Sequence, residues 1–281
     1  MPDPKLLLTG LVFPESPRWH DGRLWVADWG AQQIVAVDPG GGHEVTGHVA
    51  SFPFSIDWRP DGRLVVISAA DHGLLGEGPD GSLAVDTDLS GLSERPWNEI
   101  VADGRGHVYV NNIGFDFPGG AYQPGFAALV RPDGTARVVA DGLAFPNGMA
   151  ITPDNATLIV GESYASQLTA FDIAADGTLS GRRIWAETPG DHPDGICTDA
   201  EGAAWYADVG QRRCVRVAPG GEVLQVVEFD RGCFACMLGG PDGRTLFAVT
   251  NQWNGPSATG QAGTAGQVLA VPAPAPAAGW P

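Results

Sequence analysis

The chain has 281 residues and 43% hydrophobic content, enough for a buried core, and no apolar run approaches the ~20 residues of a membrane span. Thirty-three acidic against 16 basic residues give a formal net charge of −17, which repels nucleic acid and anionic membranes and attracts cations. The opening stretch MPDPKLLLTGLVFPE has one Lys, a short apolar segment and an early Pro, so no signal peptide is expected and the expected location is cytoplasmic.

Short strands then follow one another at a regular spacing. KLLLTGLVFPE (5–15) reads as a strand running into a turn, and ESPRWHDGRLWVAD (15–28) as two strands joined by a turn at Asp-Gly. The same plan recurs as SIDWRPDGRLVVIS (55–68), NEIVADGRGHVYVNN (98–112), NGMAITPDNATLIVGE (147–162), DGICTDAEGAAWYAD (194–208) and CMLGGPDGRTLFAVT (236–250). In most repeats a third strand follows (QIVAVDP, AALVRPDG, LTAFDIAADG, CVRVAPGG), then a fourth (EVTGHVA, ARVVADG, RRIWAET, EVLQVVEF). No segment carries a sustained helical period. Four short antiparallel strands every 40 to 50 residues make a β-propeller blade. Six repeats predict an all-β, six-bladed propeller occupying residues 1–281 as one domain.

The sixth repeat has GQVLAVPAP as its third strand and then decays into a Pro/Ala-rich tail, about 273–281, which as a Pro-rich segment supplies no ladder strand. Because KLLLTGLVFPE aligns with RVVADGLAFPN, Lys5 to Thr9 is expected to pair around Val268–Val271 and close the ring. Loss of the tail is expected to change little.

Closure would bring the first residue of every repeat to one end of the central channel: Glu15, Ser55, Asn98, Asn147, Asp194 and Cys236. Two acids and two amides aimed at one axis are costly to hold together without a cation. Hard oxygen ligands of this kind suit Ca²⁺, Mg²⁺ or Mn²⁺. A neutral hydrogen-bonded ring of turn-capping Asn and Asp is the alternative. The four cysteines include a CxxC, CFAC at 233–236, without a second CxxC or nearby His pair, and read as reduced buried thiols. A GxSxG elbow and a phosphate-binding Gly-rich loop are both missing from the sequence, which argues against serine-hydrolase and nucleotide chemistry.

ESPRW (15–19), FPNG (145–148) and HPDG (192–195), in this order and spacing, resemble the regucalcin (senescence marker protein)/gluconolactonase family of six-bladed propellers over roughly residues 5–272. Diisopropylfluorophosphatase is a more distant likeness. The resemblance implies that Glu15, Asn147 and Asp194 hold one divalent metal, Ca²⁺ first, with Mg²⁺, Mn²⁺ or Zn²⁺ as alternatives. It implies that Asn98 is a further ligand or a substrate contact, and that the substrate is a small lactone opened by water with Asp194 doubling as general base. A phosphotriesterase or arylesterase on the same site, or a non-catalytic calcium-binding propeller, are the competing readings. Oligomeric state is left open.

Departures from the family bear on substrate. Sugar-lactonase members carry Arg-x-Asn-Asp-Gly at the third blade, where this chain has RPWNE (95–99). Asn98 is kept, Arg95 moves one residue away, Trp97 intervenes and Glu99 replaces the Asp. Arg95 and Trp97 are candidate substrate contacts, although Trp97 also suits packing between blades. NNIGFDFPGGAYQPGF (111–126) reads as the longest irregular insertion and as a lid or pocket wall, with Asn112 and Asp116 as further candidate contacts unless they shape the loop. The pocket therefore reads as more apolar than a sugar site, which suits a non-sugar lactone. His192, Asp28, Asp57 and Asp208 read as structural.

Overall fold

The computed structural model describes residues 3–255 and 263–279. Within them, twenty-four strands, β1 to β24 in chain order, form six four-stranded antiparallel sheets, with no helix among the described residues. Each sheet is one propeller blade. The inner strands are β2 (Pro14–His20), β6 (Phe54–Trp58), β10 (Trp97–Ala102), β14 (Pro146–Ile151), β18 (Pro193–Thr198) and β22 (Gly232–Gly239). They contact one another in a ring around the axis.

Alternation along each strand explains why blades pack on both faces. In β7 (Leu64–Ser68), Leu64 and Val66 join the apolar cluster shared with the first blade, while Val65 and Ile67 join the one shared with the third. Each such fully buried side chain contributes roughly 1.5–3 kcal/mol of transfer free energy. The outermost strand of the first blade, β5 (His43–His48, HEVTGH), is almost wholly exposed and correspondingly polar. Apolar character thus falls from axis to rim.

Ring closure follows the expected pairing. Strand β1 (Lys5–Leu11) runs antiparallel to β24 (Gly266–Pro272), with Lys5 opposite Ala270, Leu8 opposite Val268 and Leu11 opposite Gly266. The sixth blade is therefore completed by the N-terminal strand, which leaves no open sheet edge between first and last blades.

Two expectations need correction. The pairings of Gly232 with Asn251 and Cys233 with Thr250 match those of Pro14 with Asp28 and Glu15 with Ala27. Cys233, not Cys236, is thus the sixth counterpart of Glu15. The turn after β22 is longer (240–244 against 21–22 in the first blade), so an alignment anchored on the turn slips. Second, the tail is part of the fold. Ala273, Ala277 and Ala278 donate backbone bonds to Arg244, Gly243 and Thr198, and Pro276 accepts one from Ala200. Ala275 is fully buried. Prolines lack the N–H for a ladder, but their carbonyls still accept and the alanines between them still donate. The tail crosses the channel end opposite Glu15, where residues 277–279 help to line a cavity of about 210 Å³ with Trp19, His20 and Trp58.

Candidate metal centre

All six ring positions are the second residue of their inner strand: Glu15, Ser55, Asn98, Asn147, Asp194 and Cys233. In five blades the ladder is interrupted at this point, the sixth blade between Cys233 and Ala235. In the other four, register shifts fall between Glu15 and Arg18, Trp97 and Ile100, Pro146 and Met149, and Pro193 and Ile196. Bulges of this kind re-aim side chains away from the ordinary pleat. The glycines after Asn147 and Asp194 then let the inner strands close in. A Cβ on Gly148 would stand 2.5 Å from the Asp194 carbonyl oxygen, and one on Gly195 would stand 2.2 Å from Ala235 Cβ. This is why FPNG and HPDG carry Gly after the polar residue. Glu15 is buried, whereas Asn98, Asn147 and Asp194 are half-buried, so the ring is open to solvent from one end. Just beneath it the channel narrows to a void of about 10 Å³, bordered by Arg18, Glu99 and Gly195.

The ring is electrostatically strained. Burial raises the carboxyl pKa of Glu15 well above the ordinary range, and the neighbouring charges of Asp194 and Glu99 raise it further. Asp194 is raised by burial first, then by Glu99 and Asp208, while a hydrogen bond from Asn147 acts the other way. Glu99 is itself raised by burial, and Arg18 opposes that. Arg18 is the buried counter-charge. It lies 3.6 Å from Glu99 and 3.8 Å from Asp57, and donates to the Ile100 carbonyl at 2.6 Å. One guanidinium thus stands beneath the two ring carboxylates, with Glu99 and Asp57 beside it.

The donor set fits a hard divalent cation. Asn98 Nδ2 lies 3.4 Å from Asn147 Oδ1, and Asn147 also bonds the Asp194 side chain, so these amides and carboxylates share one locus. Among the described residues no three His, Cys, Asp or Glu side chains stand in metal-holding geometry, so amide oxygens must complete any ligand set. A dication beside Glu15 and Asp194 would relieve the repulsion that raises both. Glu15, Asn147 and Asp194 would hold it, with Asn98 beside them.

Surrounding side chains hold the ring in place. Asp28 accepts the backbone N–H groups of Val12 and Phe13 at 2.9 and 2.7 Å, just ahead of Glu15. Asp208 accepts that of His192 at 2.8 Å, two residues ahead of Asp194. Glu162 accepts that of Ala144 at 2.6 Å, ahead of Asn147. Asp57 accepts from Ala102 of the next blade at 2.7 Å. Fully buried Asn111 binds the Glu99 N–H and the Asn147 carbonyl, tying third blade to fourth. Ser163 lies beside the ring too, its hydroxyl 3.4 Å from Asn147 Nδ2. Sequence reasoning missed Asn111, Ser163 and Arg18; the only signal was that Asn111 is one of the two amides that end its strand, β11 (Val108–Asn112).

The expected substrate contacts fare differently. Trp97 is fully buried, packed edge-to-face on Phe126 within the cluster between second and third blades, so it walls no pocket. Its large ring gains more from that interface than from the rim. Asn112 is also fully buried, and its amide is spent on the carbonyl of Arg95 and the N–H of Gly114 at 2.9 Å each. It shapes the rim and does not reach a ligand. Arg95 and Asp116 are exposed and form an ion pair with each other across the rim. The four cysteines are buried free thiols, with Cys214 and Cys233 sulfurs 3.3 Å apart.

Comparison with known proteins agrees with the architecture. Residues 13–252 match the family described as SMP-30/Gluconolactonase/LRE-like region. The chain is 27% identical to the pentonolactonase XacC of Haloferax volcanii, covering 88% of this chain and 84% of that one. It is 26% identical to a 6-deoxy-6-sulfogluconolactonase of Pseudomonas putida, covering 86% and 84%. The solved structure of a calcium-binding protein, regucalcin, from Agrobacterium tumefaciens superposes with a TM-score of 0.80 at 18% identity, covering 98% of this chain and 95% of that one.

Proposed function

Because the chain belongs to the SMP-30/gluconolactonase/LRE-like family, we propose that it is a metal-dependent hydrolase that opens a lactone ring at Glu15, Asn98, Asn147 and Asp194. The observation that carries this reading is the pair of mutually repelling carboxylates, Glu15 and Asp194, flanked by two amides at an accessible end of the channel. The sugar-lactonase names of the two curated relatives support the reaction class. The all-oxygen donor set supports Ca²⁺ ahead of softer ions.

A divalent cation held there would supply Lewis-acid activation of the lactone carbonyl and of water. Asp194 is the base. Its carboxylate lies half-buried at the accessible end of the channel, where water reaches it and where it can accept a proton. It takes a proton from water as the water oxygen bonds to the carbonyl carbon. The ring C–O bond then breaks and the proton passes to the departing ring oxygen, leaving a hydroxy acid. Asn98 is half-buried and gives one Nδ2 hydrogen to Asn147 Oδ1, so its second N–H offers a neutral donor to a lactone oxygen without adding repulsion.

Two isosteric variants separate the roles. At saturating Ca²⁺, Asp194→Asn should hydrolyse lactone at least about 100-fold more slowly than the parent, because its amide takes no proton. Glu15→Gln should bind metal more weakly but recover most activity as Ca²⁺ is raised. Parent-rate hydrolysis by folded Asp194→Asn would remove Asp194 as base. A preference for an organophosphate or aryl ester over every lactone would favour the phosphotriesterase or arylesterase reading.

A further inference from the structure

The rim beside Asn147 is aromatic. The segment at 113–124 folds over the start of the fourth blade, where Phe115 and Phe117 meet Phe145 with ring centroids 5.7 and 5.1 Å apart. Tyr164 packs on Phe145 at 4.7 Å and on Tyr122 at 5.8 Å. Phe115 and Phe145 form the buried floor, while Tyr122 and Tyr164 remain 49% and 52% exposed. This wall is coupled to the ring. Phe145 lies two residues before Asn147, and Ser163, next to Tyr164, has its hydroxyl 3.4 Å from Asn147 Nδ2. The Ser163 N–H also bonds the Phe145 carbonyl at 3.1 Å. On the side of the first two blades, Trp29 and Phe52 pack edge-to-face at 5.6 Å, and Phe52 is 44% exposed.

Several polar groups in the same quarter are already committed, and exposed His192 is tied through Nδ1 to the Ser163 carbonyl at 2.8 Å. Arg95 and Asp116 neutralise one another, and Asn112 is buried within the rim. A polyhydroxylated ring arriving here would lose water from its hydroxyls and find few free partners, which is costly. An apolar substituent would instead cover exposed aromatic surface at about 25 cal/mol per Å². The acidic ring and the net charge of −17 also disfavour an anionic substrate.

We infer that the substrate is an uncharged lactone bearing an apolar substituent, alkyl or aromatic, which packs on Tyr122 and Tyr164 while the ester carbonyl faces the axial site. The inference rests on the lactonase reading above. Sugar lactones, with hydroxyls at most ring carbons, are the poorer class.

The test compares δ-decalactone with glucono-δ-lactone on the Ca²⁺-loaded protein, its Tyr122→Ala and Tyr164→Ala variants, and their double variant. For the parent, kcat/KM should be at least about tenfold higher for δ-decalactone, within the discrimination a few methylenes provide. Each Tyr→Ala change should lower kcat/KM for δ-decalactone about three- to tenfold, mainly through KM, and leave glucono-δ-lactone within about twofold. Both tyrosines are half-exposed, so the variants should fold. A parent preference for glucono-δ-lactone, or a double variant unchanged on δ-decalactone, would overturn the inference while leaving lactone hydrolysis standing. If neither lactone opens, the lactonase reading itself fails, and the inference with it.

Discussion

Replacing Gly195 by Ala tests the geometry that builds the ring. The new methyl would lie 2.2 Å from Ala235 Cβ, 2.6 Å from Ala235 Cα and 3.2 Å from the Phe234 carbonyl oxygen. Carbon atoms pack at about 3.5–4.0 Å, so β18 and β22 would have to separate by more than about 1 Å. No rotamer change relieves this, because one partner is an alanine and the others are backbone. Overpacking of this kind costs about 1–3 kcal/mol, and rigid neighbours place it near the top of that range. For a chain of this size the melting temperature should fall by roughly 5–10 °C. The strand that moves carries Asp194, so Ca²⁺ affinity measured by isothermal titration should fall as well. Gly40→Ala is the control, since nothing lies within 4 Å of its added methyl. It should stay within about 0.5 kcal/mol of the parent in urea denaturation. A Gly195→Ala protein as stable as the control, with unchanged Ca²⁺ affinity, would refute the claim that these glycines set the approach of the inner strands.

Two further perturbations bear on the fold around the site. Burial lifts Asp57 to about 6 from its ordinary 3.8, although Arg18 and the N–H groups of Ala102 and Trp58 pull it back. A carboxyl raised on folding contributes stability that is complete below the unfolded value and is lost as pH climbs through the folded one. Between pH 4 and 8, urea denaturation should therefore show the parent losing ground to Asp57→Asn by up to about 3 kcal/mol; a difference that does not vary with pH would contradict the assignment. Stopping the chain after Pro272 removes the backbone bonds made at Ala273, Pro276, Ala277 and Ala278 and deletes fully buried Ala275. Net hydrogen bonds are worth about 1 kcal/mol each before the entropy of ordering the tail is subtracted, so differential scanning calorimetry should show destabilisation of about 2–3 kcal/mol. Lactone turnover below that transition should be kept, since the tail lies at the far end of the channel; unchanged stability would mean that the tail is dispensable after all.

Legibility in the sequence followed locality. The blade repeat and the ring-closing strand were readable because alternating apolar residues and Asp-Gly turns are local signals. Asn147 and Asp194 were readable because each stands between a Pro that starts its strand and a Gly that the neighbouring strand requires. Cys233 was misplaced by the longer turn after β22, which no local pattern marks. Trp97 and Asn112 were read as contacts because they adjoin Asn98 and the 113–124 segment, but strand alternation turns both inward. Arg18 and Ile100 are 82 positions apart and meet only through ring closure, so the counter-charge beneath the carboxylates had no sequence signature. The tail was undervalued because its composition speaks only to ladder donors, not to acceptors.

The measurement nearest the central claim is the rate of lactone opening, followed by proton release, as Ca²⁺ is returned to protein stripped with a chelator. The stripped protein should be inactive, and activity should rise with Ca²⁺ to a plateau at one equivalent, in step with one binding event by titration calorimetry. Asp194→Asn should need more Ca²⁺ and reach a plateau about 100-fold lower. Stripped protein hydrolysing lactone at the full rate, with no calorimetric binding of any divalent ion, would contradict the axial metal site.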